Sequence, residues 1–247
     1  MVKFMFLMRG DRHEPGDAFR KRVIDAFIPE LLSGSEAPCK VTLTTVDAPR
    51  LSLTPYRKDR IALVSVWEQQ QSRDTEWSRK ACQAWSGPCH GYRVEESTPR
   101  SYERTWPAGT QTPGIGLLTL FRARKGLAHD DFIRMWHLGH TPLGMSVHPL
   151  WNYVRNVVLA PIVPGSPLLG GIVEEHVKTR EDMLNPVRFF GGIARMFPNM
   201  VRIGLDIRKW MDFGSIENYL VTEQWIRDHQ GSSAAAGQVD GCPNPLT

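Results

Sequence analysis

Short apolar runs and helical periodicities alternate along this chain in an order that occurs twice. Phe4-Met-Phe-Leu-Met-Arg9 and Leu117-Leu-Thr-Leu-Phe-Arg122 are apolar runs of strand length, each closing on an arginine. A polar loop then leads into a helical pattern, Phe19 to Pro29 in the first copy and Phe132 to Pro142 in the second. One ungapped offset pairs Arg9 with Arg122, Phe19 with Phe132 and Pro29 with Pro142. Both copies also close alike, with Tyr92-Arg-Val94-Glu-Glu96 matching Tyr219-Leu-Val221-Thr-Glu223, an alternation that gives a strand two faces. Between these ends the pattern predicts strands over 40–46 and 61–67 and a helix near 75–85 in copy one. In copy two it predicts strands over 152–159 and 171–177, and Thr179 caps a helix start.

The order is βαββαβ twice, which predicts an α+β protein of two tandem ferredoxin-like units. Each four-stranded antiparallel sheet leaves one face bare of helices. The apolar bare face must be covered, and the sheet of the other copy can cover it within one chain, as an intrachain dimeric α/β-barrel. The expected division is 1–105 for the first unit, 106–113 for a linker (the whole stretch 95–113 reads as connecting chain), 114–227 for the second unit and 228–247 for a mobile tail. Residues 185–215 have no counterpart of equal length in copy one. They are apolar, with Arg188, Arg195 and Arg202 seven apart, and Pro198 is expected to break any helix there. Such an insertion beside a cavity could serve as a lid.

Composition narrows the function. The 247 residues are 41% hydrophobic and 23% charged, enough for a sizeable core without staples. A net charge of +4 is mild and its basic residues are scattered, so no nucleic-acid partner is indicated. Lys3, Arg9, Asp11 and Arg12 stand too close to the start for a signal peptide, and no apolar stretch approaches membrane-spanning length, so the expected location is cytoplasmic with no membrane partner. Cys39, Cys82, Cys89 and Cys242 form no CxxC pair. Cys82, Cys89 and His90 lack a fourth ligand at a zinc spacing, so reduced thiols and no metal are expected. The glycine-rich nucleotide fingerprints are missing.

The stretch 122–156 resembles the EthD domain family of the dimeric α/β-barrel superfamily. The residues that carry the likeness are Arg122, Phe132, Trp136-x-x-x-His140-x-Pro142-Leu143 and Tyr153-Val-Arg-Asn156, with weaker echoes in Asp206-x-x-x-Trp210-x-Asp212 and the closing Tyr219 to Glu223. The resemblance covers about 114–227, and copy one follows it only in outline. It implies two ferredoxin-like units whose sheets meet as a barrel and a hydrophobic pocket between sheet and helices. The chemistries it brings are cofactor-free monooxygenases, polyketide cyclases, lactone isomerases, lyases and haem-dependent enzymes. Fold alone does not choose among them.

Copy two has His140 where copy one has Phe27, and a phenyl ring moves no protons near neutrality. The expected site therefore lies in copy two, with His140 as general acid or base. Tyr153 and Asn156, an odd number apart, fall on opposite faces of their strand. Either could hydrogen-bond an enolate or oxyanion. Their plainer roles are sheet packing and an edge hydrogen bond. Phe121, Trp136 and Trp151 could wall an aromatic ligand or be plain core. His137, one turn before His140, could line the substrate or simply support its neighbour, and His176 could be a substrate or haem contact. Arg9 and Arg122 recur in both copies and so read as architectural, with salt bridges Arg9–Glu96 and Arg122–Glu223 expected.

These readings favour an enzyme without cofactor, a lyase, isomerase or cyclase acting on a small hydrophobic, aromatic metabolite. Two alternatives stand beside it: cofactor-free monooxygenation of a phenol, and a non-catalytic binding protein for an apolar metabolite. The assembly is expected to be a monomeric pseudo-dimer or a homodimer.

Overall fold

In a computed structural model of the chain, the repeated pattern becomes one closed barrel with helices on its outside. The structure describes residues 1–11, 13–33, 40–46, 56–57, 59–68 and 76–228. The first half runs β1 (Val2–Arg9), α1 (Gly16–Arg22), a π-helical segment (Val23–Phe27), α2 (Ile28–Leu32), β2 (Lys40–Val46), β3 (Ile61–Glu68), α3 (Glu76–Ala84) and β4 (Cys89–Arg100). The second half runs β5 (Ile115–Phe121), α4 (His129–Arg134), a π-helical segment (Met135–His140), α5 (Thr141–Val147), β6 (Asn152–Pro161) and β7 (Gly171–Val177). It ends with α6 (Arg180–Leu184), α7 (Pro186–Phe189), α8 (Ile193–Ile207) and β8 (Glu217–Asp228).

The strands close in the order β1-β3-β2-β8-β5-β7-β6-β4, antiparallel throughout. Each half contributes four consecutive staves, β4-β1-β3-β2 and β8-β5-β7-β6. Two seams, β2 with β8 and β4 with β6, join the halves and leave no free sheet edge.

Alternation along the strands sorts the core into three layers. From β1, Met5 and Leu7 point into the lumen with Tyr92, Leu118, Ile172 and Tyr219, while Phe4, Phe6 and Met8 pack outward under the first half's helices. A matching outer layer, containing Phe121, Phe132, Trp136, Tyr153 and Trp210, lies under the helices of the second half. Gly171 makes one close approach possible. A Cβ there would sit 2.5 Å from Cη2 of Trp136 and 2.7 Å from Cζ of Phe121, so only glycine lets that indole lie on the sheet.

Several expectations change. The stretch 95–113 is not all connecting chain: β4 continues to Arg100 because its backbone pairs with β6 as far as Tyr153. Cys82 and Cys89 are joined by a disulfide rather than held as thiols, since the end of α3 and the start of β4 bring their Cα atoms to 5.7 Å. Arg9 pairs with Glu217 (2.9 Å) and Tyr219 (3.1 Å), and Arg122 with Asp212 (3.2 Å). The expected partners Glu96 and Glu223 sit at the other end of the barrel. Pro198 does not break its helix but lies inside α8, where it forfeits only one backbone bond. Arg188 is held by Glu181 and Asp182 at α6. Cys39, Cys242 and the expected tail beyond residue 228 lie outside the described residues. Among the described residues no helix is long and apolar enough to cross a membrane.

Candidate functional site

The eight residues singled out by sequence fall into two groups on opposite faces of the second half's sheet. Phe121, Trp136, His137, His140 and Tyr153 lie on the helix side; Asn156 and His176 point into the lumen, with Trp151 at its mouth.

On the helix side, Trp136 and Trp210 stack with ring centroids 5.7 Å apart and planes 9° from parallel, and Phe121 stands edge-on to both at 5.1 and 5.4 Å. Phe121 and Trp136 are wholly buried in the outer core layer of the second half. His140, the last residue of the π-helical segment, has its ring 5.2 Å from Trp210. Its Nδ1 is 3.0 Å from Oδ2 of Asp206 on α8. The insertion therefore supplies the carboxylate that orients the imidazole, which places Nδ1–H as donor and leaves Nε2 with the free lone pair. Burial lowers the pKa of His140, and the bond and charge of Asp206 offset this only in part. The ring is a neutral base near pH 7. At the equivalent place in the first half, Phe27 is fully buried in the core at the end of its own π-helical segment.

Around this pair stand groups with strongly displaced acidities. His137 is pushed down to about 4 by burial and by Arg155, and His148 down to about 4 by burial and by the proximity of His140, against a hydrogen bond with the Phe189 carbonyl. Tyr153 is pushed up to about 12 by burial and by Glu175, whose own carboxyl burial raises to about 7. The first half reaches across as well: Tyr56 packs against this cluster and its hydroxyl donates to the Met183 carbonyl.

The lumen behaves differently. Its centre is apolar, but toward one end Lys3 donates to Glu96 (2.9 Å) and Glu174 (3.0 Å), joining the halves. Asn156 Nδ2 donates to Glu174 and to the Ile172 carbonyl. His176 Nε2 lies 3.2 Å from Glu223, which accepts from the Tyr102 hydroxyl at 3.2 Å, and Trp225 Nε1 donates to that hydroxyl at 3.2 Å. Residues that follow β4 cross this end, and Tyr102, Trp106 and Trp151 cluster there with centroids 4.9 to 5.7 Å apart. Beneath them is a cavity of about 360 Å³. Burial disfavours the Lys3 ammonium, yet Glu174 and Glu96 outweigh it and hold the pKa above its ordinary value; burial raises Glu223, reinforced by Glu174.

Sequence reasoning named Asp206 and Trp210 only as weak echoes of a family pattern. It did not single out His148, Glu175, Tyr102, Lys40 or Glu223 as site residues. Strand alternation marks the inward positions, but which of them share one end depends on register. Among the described residues no three His, Cys, Asp or Glu side chains converge as metal ligands would.

No family model matches the chain, and neither does any curated protein. Solved structures do. An anthrone oxidase-like protein superposes with a TM-score of 0.59 at 11% identity, covering 92% of this chain and 91% of that one. A candidate monooxygenase from Fusobacterium nucleatum subsp. nucleatum gives 0.50 at 7% identity, covering 92% of both chains. At such identities the likeness is one of fold. The antiparallel eight-stranded barrel with external helices is similar to that of dimeric α/β-barrel proteins. The likeness is to that fold and does not reach the EthD family.

Proposed function

We propose that the protein is a cofactor-independent enzyme in which His140, oriented by Asp206, removes a proton from a small hydrophobic, aromatic substrate on the helix side of the second half. The observation that carries this reading is the 3.0 Å contact between Nδ1 and the carboxylate, which leaves Nε2 basic. Tyr153 and the Trp136–Trp210 stack complete the substrate's surroundings. The chain is read as two ferredoxin-like units, 1–105 and 114–227, joined by 106–113. The strand order β4-β1-β3-β2, repeated as β8-β5-β7-β6, supports that division. The second unit alone kept the imidazole.

Removing a proton from a phenol or an activated C–H gives an electron-rich anion with two fates. It can eliminate, isomerise or cyclise, or it can react with dioxygen and be oxygenated without a cofactor. The names of the two structural neighbours, anthrone oxidase-like protein and candidate monooxygenase, favour the second fate. The test is turnover of a panel of phenols and anthrones with and without oxygen. His140→Ala is expected to lower kcat by about 10²–10⁴-fold with far-UV circular dichroism unchanged. Asp206→Asn should lower it less, about 10-fold or more, because it loosens the ring without removing it. Loss of turnover under argon assigns the oxygenase reading; retained turnover assigns elimination or isomerisation. A ligand bound equally by wild type and His140→Ala, and converted by neither, would mark a binding protein and refute the catalytic role.

A further inference from the structure

We propose that the barrel mouth is a second, independent site, in which the Lys40 amine condenses reversibly with a small uncharged aromatic aldehyde to form an imine. Lys40 opens β2 and faces the lumen, and the cavity of about 360 Å³ that it lines lies within the size range of small-molecule sites. Its Nζ sits 3.9 Å from the ring centroid of Trp67 and 4.4 Å from that of Trp225. The contrast with Lys3, two strands away, is direct. Lys3 is locked by two carboxylates at 2.9 and 3.0 Å, whereas Lys40 makes no ion pair with any described residue. The two indole faces position its nitrogen without consuming the lone pair of the neutral form. Burial and the nearby Lys3 also lower its pKa, against the pull of surrounding carboxylates.

The lining fixes the class of carbonyl compound. Trp67, Trp225 and Tyr102 are part of the cavity lining, an aromatic surround that suits a planar ring. Glu96, Glu174, Glu223 and Asp228 share the lumen, while the cations Lys3 and Arg104 are already engaged, Arg104 with Asp228 at 2.8 Å. A ligand bearing a carboxylate would meet uncompensated negative charge, so an uncharged aldehyde is the fitting guest. In the condensation the Nζ lone pair attacks the carbonyl carbon and a C–N bond forms. The carbonyl oxygen takes up two protons in turn, one from the nitrogen and one from an acid, and leaves as water when the C=N bond closes. Glu223 lines the same cavity as Lys40 and serves as that acid, its buried carboxyl holding a proton more readily than an exposed one. No electron transfer is involved.

Reductive trapping tests this. Full-length protein is incubated at pH 7 with benzaldehyde and sodium cyanoborohydride, and N-benzyl lysine is mapped by peptide mass spectrometry. Lys40 is expected to be labelled faster than the exposed Lys21 and Lys209, because more of its amine is free at that pH. Its rate should saturate with benzaldehyde and be competed by benzyl alcohol. 4-Carboxybenzaldehyde should label Lys40 more slowly than benzaldehyde while labelling Lys21 and Lys209 equally. Glu223→Gln should slow trapping at Lys40 alone, and His140→Ala should leave it unchanged, which separates this site from the helix-side reading. Labelling of Lys40 no faster than of the exposed lysines, or without saturation, in protein of native circular dichroism overturns the proposal. Because Lys40→Arg keeps the cation between the two indoles, its loss of the label with fold intact supports the assignment; an undiminished label on the 40–46 peptide of that variant refutes it.

Discussion

Three titratable groups of the second half, His137, His148 and Glu175, set how the protein responds to pH. His137 and His148 each fall from about 6.5 in the unfolded chain to about 4 when folded, so between those values the unfolded state binds more protons and stability is lost as pH falls. Glu175, raised from about 4.5 to about 7, acts in the opposite sense: the folded state holds its proton, and that contribution is lost as pH rises through 7. Urea unfolding followed by fluorescence should therefore show stability declining below pH 6.5. Glu175→Gln should steepen the decline between about pH 6.5 and 4.5, where the carboxyl's opposing contribution is removed, and leave the profile above pH 7 in place. An unchanged profile in that variant would show that the Glu175 carboxyl is not held protonated. At this scale the sequence was partly legible. The contrast between His140 and Phe27 stood out because one offset aligned the copies. Asp206 did not, because its partner lies 66 positions away and nothing local connects them. Lys40 read as an ordinary strand residue, since alternation tells inward from outward but not which inward groups meet.

Among the elements, strands were the most legible part of the chain. β2 and β7 begin and end where alternation placed them, and the Thr179 cap accepts from the Asp182 backbone as expected. The helices after β1 and β5 were seen as single periodic runs. Each is in fact interrupted by a π-helical segment, Val23–Phe27 and Met135–His140, which the 3.6-residue period hides because an extra residue in one turn barely disturbs the apolar count. The insertion gave the plainest miss. α8 continues through Pro198 and turns Ile193, Phe197, Val201 and Leu205 outward, so its apolar residues mark no buried face. Gly171 is the position where an element depends on one atom. Gly171→Ala should destabilise the fold by about 1–3 kcal/mol, since the Trp136 indole has nowhere to retreat inside its aromatic stack. Chemical denaturation would measure this, and a loss below about 0.5 kcal/mol would show that the stack yields.

For the molecule as a whole, closure was foreseeable from an argument about bare sheet faces, while its details were not. The seams needed registers that no local pattern supplies, including the irregularities at Val41/Thr42 and Arg93/Val94. Cutting the chain between the halves should expose four strand edges and the lumen's apolar side chains at once. Residues 1–105 and 106–228 made separately are expected to aggregate or remain largely unfolded, and to recover native circular dichroism and monomeric elution when refolded together in equal amounts. Independent cooperative unfolding of either piece would contradict that dependence.

The lumen shows what a single polypeptide permits. In the two matching registers, Lys3 corresponds to Gly116 and Trp67 to His176, and a Cβ on Gly116 would sit 3.0 Å from Nε2 of that histidine. A barrel assembled from identical subunits must present every inward group twice about its rotation axis: two ammoniums face to face, or two imidazoles crowding each other. A single chain has no such axis, so a cation can sit opposite an acid that has no mirror image.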